Sequence, residues 1–326
     1  MLLYDNTLWL LIAALLLDAV IGDPDWLWRR LPHPVVWIGK VISGFDTGLN
    51  RPAWSAATRR TMGVLTLIVL VTGGIVFGLG LQQVAATLAF GDLLVVLIAA
   101  VFLAQKSLYQ HVAAVRDGLR DNGLEGGRKA VAMIVGRDPK SLDEAGVSRA
   151  AIESCAENYS DGIVAPLIWF ALLGLPGLIT YKAVNTADSM IGHKNEKYSD
   201  FGWASARFDD VINLPASRLA GVFLALSAPM AGGSTFRSFK AILNDAKKHR
   251  SPNAGRPEAA MAGALGLALA GPRKYPGYTV DDPYMNATGR RQANAQDISR
   301  SLRLLLGAYG IEALLVLILA FAFSPF

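Results

Sequence analysis

Between Glu153 and Arg218 the chain gathers carboxylates, amides and basic side chains on both flanks of an uncharged run, Ile163 to Thr180. With helical spacing from about Ser148 to Asp161, Glu153, Glu157 and Asp161 fall at i, i+4 and i+8 and share one face, beside Ser154 and Asn158. Carboxylates so placed repel one another unless a metal ion, an Arg or a Lys stands between them. The second flank supplies cations in Lys182, Lys194, Lys197, Arg207 and Arg218, and further acceptors in Asn185, Asp188, Glu196, Asp209, Asp210 and Asn213. Asn185 and Asp188 are three residues apart, as are Arg207 and Asp210, so each pair can project from one side of a helical turn. Oxygen ligands for an ion beside fixed cations for phosphates make the composition of a magnesium–phosphate site. The plainer alternative is a set of solvated loop charges, and the clustering beside a membrane segment argues against it.

The elements that must position these residues follow from composition. The chain has 326 residues, 52% hydrophobic and 17% charged, with a mean hydropathy of +0.35. Those values describe an integral membrane protein. A single cysteine, Cys155, excludes an intrachain disulfide, a Cys-rich zinc site and a CxxC pair, and reads as a small buried residue behind the carboxylate face. His33, His111, His193 and His249 show no metalloprotease spacing. The net charge of +5 sits in loops between apolar runs, which reports topology and anionic headgroups and not nucleic acid.

Thr7 to Gly22 reads as a retained first helix, with Asp18 facing protein or a polar cavity. Gly22-Asp23-Pro24 ends it, and Trp26, Trp28 and Trp37 suit the membrane interface, with Pro32-His33-Pro34 between them. Met62 to Leu81 and Val84 to Ala104 form a predicted helical hairpin linked at Gln82-Gln83, with Asp92 in the second arm. Residues 105–151 are expected to form a helical cytoplasmic cap that carries Arg137, Asp138 and Arg149. Leu219 to Phe236 and Leu304 to Phe323, the latter with Glu312, are further spans. The run ending at Gly271 is too short to cross, and Gly271 to Arg303 reads as polar and irregular. The expected fold is thus all-α: one polytopic membrane domain with about five spanning helices and short or re-entrant intramembrane segments.

Basic loops at 22–61, 105–162, 237–258 and 272–303 place those segments in the cytoplasm. If Ile163 to Thr180 crossed once, residues 181–210 with their four cations would face the other side, away from the carboxylate helix. Pro166 and the breaker Gly174-Leu-Pro-Gly177 favour a re-entrant hairpin or a deep polar cavity instead.

Several long motifs then coincide in order. They are LD-x3-GDP and PHPV-x-WIG near the N-terminus, IVGRD at 134–138, ESCAEN-x2-DGIVAPL at 153–167, YKAVNTADSMIGHKNEKY at 181–198, ARFDDV at 206–211, and SPNAGRPEAAMAGALG at 251–266. The chain resembles, over nearly its whole length, the adenosylcobinamide-phosphate synthase family of cobalamin biosynthesis, the CbiB/CobD type. The spacing in Pro215-Ala216-Ser217-Arg218 departs from that pattern and affects the register of Arg218. The resemblance implies a bacterial inner-membrane ligase, its site facing the cytoplasm, that joins adenosylcobyric acid to (R)-1-aminopropan-2-ol or its O-phosphate with ATP hydrolysis. Such chemistry normally passes through an acyl phosphate that the amine attacks. It implies ATP and Mg2+, a corrinoid and an amine as substrates, and lipid as surroundings. It leaves open a homo-oligomer or a complex with later membrane enzymes of the pathway.

No GxxxxGK[ST] is present, so phosphates must be held without a P-loop. On that resemblance Glu157, Asp161, Asp188, Asp209 and Asp210 are expected to supply the metal ligands, with the base among them and Glu157, Asp161, Asp188 and Asp210 as the catalytic set. Lys182, Lys194, Lys197 and Arg207 are expected on phosphates, with Asn158, Asn185 and Asn253 as neutral partners. His33 and His193 lie within the motifs, and His33 between prolines is expected to fix a turn. A transporter would spread charges across its spans, where here only Asp18, Asp92 and Glu312 fall. A prenyl-type transferase would need paired DxxxD acids, which VNTADSM does not offer. An inactive regulatory relative would not need so complete an acidic and basic set.

Overall fold

The computed structural model describes residues 6–136, 138–275 and 278–323; Arg137 and Pro276 lie outside the described residues. In chain order the helices are α1 (Thr7–Val20), α2 (Asp25–Trp28), α3 (Pro34–Leu49), α4 (Ala56–Thr87), α5 (Gly91–Phe102), α6 (Gln105–Val131) and α7 (Glu144–Tyr159). A π-helical turn, Ser160–Val164, leads into α8 (Ala165–Ile191), followed by α9 (Trp203–Ile212), α10 (Leu214–Ser227), α11 (Thr235–Asp245), α12 (Gly255–Leu265) and α13 (Ala295–Phe323). Among the described residues five stretches are long and apolar enough to cross a membrane: Ala56–Thr87, Gly91–Val131, Glu144–Ile191, Leu214–Ala231 and Ala295–Phe323. The all-α, polytopic expectation holds.

The chain folds as two compact units. The first comprises residues up to Ala104, Ala165–Asn213 and the chain from Val316 on. Its organising contact is between α4 and α8. The buried side of α4 is Gly63, Thr66, Leu70, Gly74, Gly78, Gln82 and Ala85, a stripe at three- and four-residue spacing in which three of the seven are glycine. That stripe lets two backbones meet: the Cβ missing from Gly74 would stand 2.9 Å from Thr180 Cα, and Gly78 lies directly against Pro176.

Helix α8 does not run straight through. At Gly174 the backbone takes φ 63° and ψ −148°, conformations open essentially to glycine alone. Gly177 then packs against the carbonyl of Trp169, eight residues earlier, which a continuous helix would hold about 12 Å away along its axis. The chain therefore turns back on itself, as the Gly174-Leu-Pro-Gly177 signal predicts. The N-terminus of the second leg is satisfied from outside: Leu175 N–H donates to Gln82 Oε1 at 3.2 Å, and Pro176 follows where no N–H is needed.

This also corrects the expected link at Gln82-Gln83. Helix α4 runs through both residues to Thr87, and the turn into α5 lies at Leu88–Phe90. Glutamine is a good helix former, and the polarity that reads as a loop is the cap for the reversal. The second arm is correspondingly shorter than expected, and Asp92 sits in its first turn, where it accepts from Asn6 Nδ2 at 3.0 Å. Asp18 is buried, and Trp26 and Trp37 are exposed, as expected. His33 caps α3, its Nδ1 accepting from Val35 N–H at 3.2 Å, which is the turn-fixing role.

The second unit holds residues 105–164 and Leu214–Leu315. Helix α6 turns back at Gly123 (φ 62°, ψ −155°), so that Gly118 and Gly126 touch. In α7, Glu153 is buried and accepts from Ala270 N–H at 2.8 Å. Buried Tyr159 donates to Glu312 of α13 at 2.8 Å, giving that intramembrane acid its partner. The expected span Leu219 to Phe236 is shifted: α10 starts at Leu214, a 3-10 turn follows, and Gly232 (φ 67°) closes it before Ser234 caps α11. Part of Gly271 to Arg303 is ordered, with strands Leu269–Ala270 and Tyr284–Met285 antiparallel, and Arg273–Tyr275 antiparallel to Tyr278–Val280. Helix α13 begins nine residues before the apolar run, because Asn294 and Asp297 cap its first turn reciprocally and Arg290 holds Asp297 at 2.7 Å.

Gly174→Ala is expected to destabilise the fold by about 1–3 kcal/mol, and Gln82→Ala by about 1 kcal/mol. Gly80→Ala, with open space around its Cβ, should leave the midpoint unchanged or raise it. Thermal unfolding in detergent reads all three; equal midpoints for Gly174→Ala and Gly80→Ala would remove the strained turn from the account.

Candidate active site

In the first unit the second leg of α8 and helix α9 bring one part of the expected set together. Spacing on α8 places Tyr181, Asn185 and Asp188 on successive turns of one face. On α9 Asp209 is buried, and its two oxygens accept from Asn185 Nδ2 at 3.3 Å and from Asn213 Nδ2 at 3.0 Å. Asn213 in turn accepts from the hydroxyl of buried Tyr181 at 2.9 Å. The result is a hydrogen-bonded row, Tyr181–Asn213–Asp209–Asn185, that fixes one carboxylate between two amides.

The electrostatics follow from burial and crowding. Burial pushes Asp209 up to about 7, the charge of Asp188 adds to this, and the two amides oppose it. Asp210 is raised too, chiefly by burial, with Arg207 and Lys194 pulling it back. Arg207 lies 4.0 Å from Asp210 and is exposed, so it remains available to an anion from solution. His193 is an electrostatic neighbour of Asp188. Asp188, Asp209, Asp210, Asn185, Lys194 and Arg207 therefore form one cluster, and half-buried Lys182 lies on α8 between Tyr181 and Asn185.

Beside this row lies an apolar cavity of about 370 Å³. It is lined by α4, by both legs of α8 through Trp169, Leu173 and Tyr181, and by Phe208 and Ile212 of α9. Trp169 Nε1 donates to the Ile212 carbonyl at 3.2 Å and ties the first leg to the end of α9. Tyr181 thus has an apolar ring wall on one side and the amide of Asn213 at its tip.

Other expected residues have other surroundings. Lys197 Nζ binds Asp46 of α3 at 2.7 Å and the Tyr198 hydroxyl at 2.8 Å. Burial alone would raise Asp46, but Lys197, Asn50 and Tyr198 together hold it below its ordinary value. Lys197 therefore pins the loop 192–202 to α3. Glu157, Asn158 and Asp161 belong to the second unit, where Glu157 and Asn158 are exposed and Asp161 is half-buried. Glu153 leaves their shared face for Ala270, and the π-helical turn from Ser160 alters the angular register beyond it. Asn158 donates to Ser154 of its own helix at 2.8 Å. Asn253 is buried and accepts from Ser217 Oγ at 3.0 Å.

Among the described residues no three His, Cys, Asp or Glu side chains form a ready metal cage. The Asp188–Asp209–Asp210 cluster nevertheless fits Mg2+, which is typically held by one or two carboxylates together with substrate phosphates and waters. Tyr181, which completes the Asp209 row, was not among the expected site residues, and Asn213 was expected as a further acceptor without a stated role. Their signal was the aromatic that opens YKAVNTAD and the amide that follows ARFDDV.

The comparisons with known proteins decide the family. The profile of the CobD/CbiB protein family matches residues 11–305. The chain belongs to that family. It is 56% identical over 297 residues to the cobalamin biosynthesis protein CobD of Sinorhizobium fredii, covering 90% of each chain. It is 52% identical over 319 residues to the protein of that name from a Sinorhizobium species, covering 97% of this chain and 99% of the relative. The Rhodobacter capsulatus protein is 46% identical over 295 residues, covering 90% and 91%. No solved structure matches the chain. Membership supports a role in cobalamin biosynthesis.

A raised carboxylate makes a pH prediction. The folded state binds a proton at Asp209 more tightly than the unfolded chain does, so this stability is fully present below the ordinary value of 3.8 and lost as pH rises through about 7. Asp209→Asn should therefore match the wild-type midpoint near pH 4 and exceed it at pH 8, by on the order of 5 °C. A pH-independent difference in a thermal series would show that Asp209 does not titrate in this range.

Proposed function

We propose that this protein is an ATP-dependent amide ligase that joins the carboxylate of adenosylcobyric acid to (R)-1-aminopropan-2-ol or its O-phosphate. The observation that supports it best is the Asp188–Asp209–Asp210 cluster, flanked by Lys194 and Arg207, in a chain of this family. A ligase of this kind must neutralise phosphate charge, align two reactants and remove a proton from an amine.

Each task has a residue of suitable chemistry. Asp188 and Asp210 are proposed as ligands of Mg2+. When bound, the ion would neutralise phosphate charge and orient the phosphoryl group. Lys194 and Arg207, with Lys182, would hold phosphate oxygens by charge-assisted hydrogen bonds. Asp209, titrating near 7, is matched to accept the proton of an amine that arrives as ammonium. Asn185 and Asn213 keep that carboxylate oriented, and the apolar wall at Trp169 and Tyr181 limits water around it. We further propose a bacterial inner-membrane location with this cluster on the cytoplasmic side, where ATP is available and the basic loops belong.

The reading is tested with purified protein in detergent, adenosylcobyric acid, ATP, magnesium and each amine separately, following corrinoid mass. An ATP-dependent amide product with one of the amines is expected. Asp188→Asn and Asp210→Asn should each lower kcat by about 10²-fold or more. No product with either amine would sink the ligase, and a full rate in Asp188→Asn would remove that residue from the site.

A further inference from the structure

The SPNAGRPEAAMAGALG motif belongs to the second unit. Its loop is built against the start of α10. Ser251 Oγ accepts from the N–H groups of Asn253 and Ala254 at 3.2 Å each, and Arg256 N–H donates to the Asn253 carbonyl at 3.1 Å. Ser217 of α10, fully buried, donates to Asn253 Oδ1 at 3.0 Å and fastens loop to helix. One turn on, Gly221 passes Arg256 so closely that a Cβ there would stand 3.6 Å from Arg256 Cβ.

That packing brings half-buried Arg256 against the helix that carries half-buried Arg218, three residues before Gly221. Arg218 Nη1 donates to the Leu214 carbonyl at 2.8 Å and to Ser217 Oγ at 3.1 Å, which holds its guanidinium in place. The charges of Arg218 and Arg256 act on each other. Among the described residues neither makes an ion pair with a carboxylate. The nearest acid in sequence, Glu258, is buried and turned to His249 at 3.6 Å. Two like charges held together without a counter-charge are unfavourable, and an anion between them reverses the sign.

We infer that Arg218 and Arg256 form a binding site for a phosphate monoester or a terminal nucleotide phosphate. Two guanidinium groups carry two positive charges and a fork geometry suited to phosphate oxygens. A phosphate monoester brings about −1.5 to −2 at neutral pH, whereas a carboxylate or a lipid phosphodiester brings only one negative charge. Two phosphates have this chemistry in the proposed reaction, that of the nucleotide and that of an aminoalkyl phosphate. The choice between these owners rests on the ligase reading; the site itself stands on the paired arginines.

The test is equilibrium binding to the full-length protein in detergent of ATP, 1-aminopropan-2-ol O-phosphate and, as control, adenosylcobyric acid. Arg218→Gln and Arg256→Gln should each weaken one phosphate ester by about 10- to 100-fold. Corrinoid affinity should stay at its wild-type value, and Arg256→Lys should recover part of the loss. The ester that weakens identifies the phosphate bound there. Unchanged affinity for both esters in the double variant overturns the inference. So does loss confined to binding of phosphatidylglycerol vesicles, which would assign the pair to a lipid headgroup. Binding is read without turnover, so a wild-type protein that makes no amide would sink the ligase reading and leave this result standing.

Discussion

A helix that breaks inside an apolar bundle frees backbone N–H groups that lipid cannot satisfy, and the break survives only where protein supplies the acceptor. Here that acceptor is Gln82. Its side chain meets Leu175 N–H just beyond Gly174, on the same stripe of α4 whose glycines let the returning leg approach. Everything downstream depends on this reversal. It turns the leg that carries Tyr181, Asn185 and Asp188 back along α4, where α9 packs on it and Asn185 reaches Asp209. A straight helix of the same sequence would carry those residues away from the break by about 1.5 Å per residue.

The reversal was legible because it uses glycine and proline, whose backbone limits are local properties of sequence. The position of the α4–α5 turn was not, because Gln82-Gln83 is polar for a tertiary reason. A side chain that caps another helix has no local signature separating it from one that faces water. The same holds for Glu153 and Lys197. Helical spacing placed Glu153 with Glu157 and Asp161, yet the N–H of Ala270, 117 residues away, takes it out of that face. Lys197 stands within the richest motif, and Asp46 of α3 engages its charge. Spacing reports which residues share a face, while partners distant in sequence decide which of them are occupied.

The cluster around Asp209 shows what burial does to chemistry and what it costs the fold. An exposed Asp would be ionised at neutral pH and weakly basic. Taking it out of water beside Asp188 raises its proton affinity into the range where it can exchange protons at pH 7. Asn185 and Asn213 limit that rise, since amide donors favour the charged form. The arrangement costs the folded protein stability as pH rises from the ordinary value of 3.8 through about 7.

Cations around the acids divide in a way that stability alone does not explain. Lys197 with Asp46, and Arg290 with Asp297, are short pairs that tie loops to helices. Lys194 and Arg207 act on Asp210 without closing on it, Arg207 standing at the 4.0 Å limit of an ion pair. A surface pair at that distance adds little to folding, commonly well under 1 kcal/mol. Such loosely held cations keep most of their donors for an incoming anion, and they offset the charge of the acids before it arrives. The Arg207–Asp210 contact, long and solvent-facing, thus balances charge more than it holds the fold together.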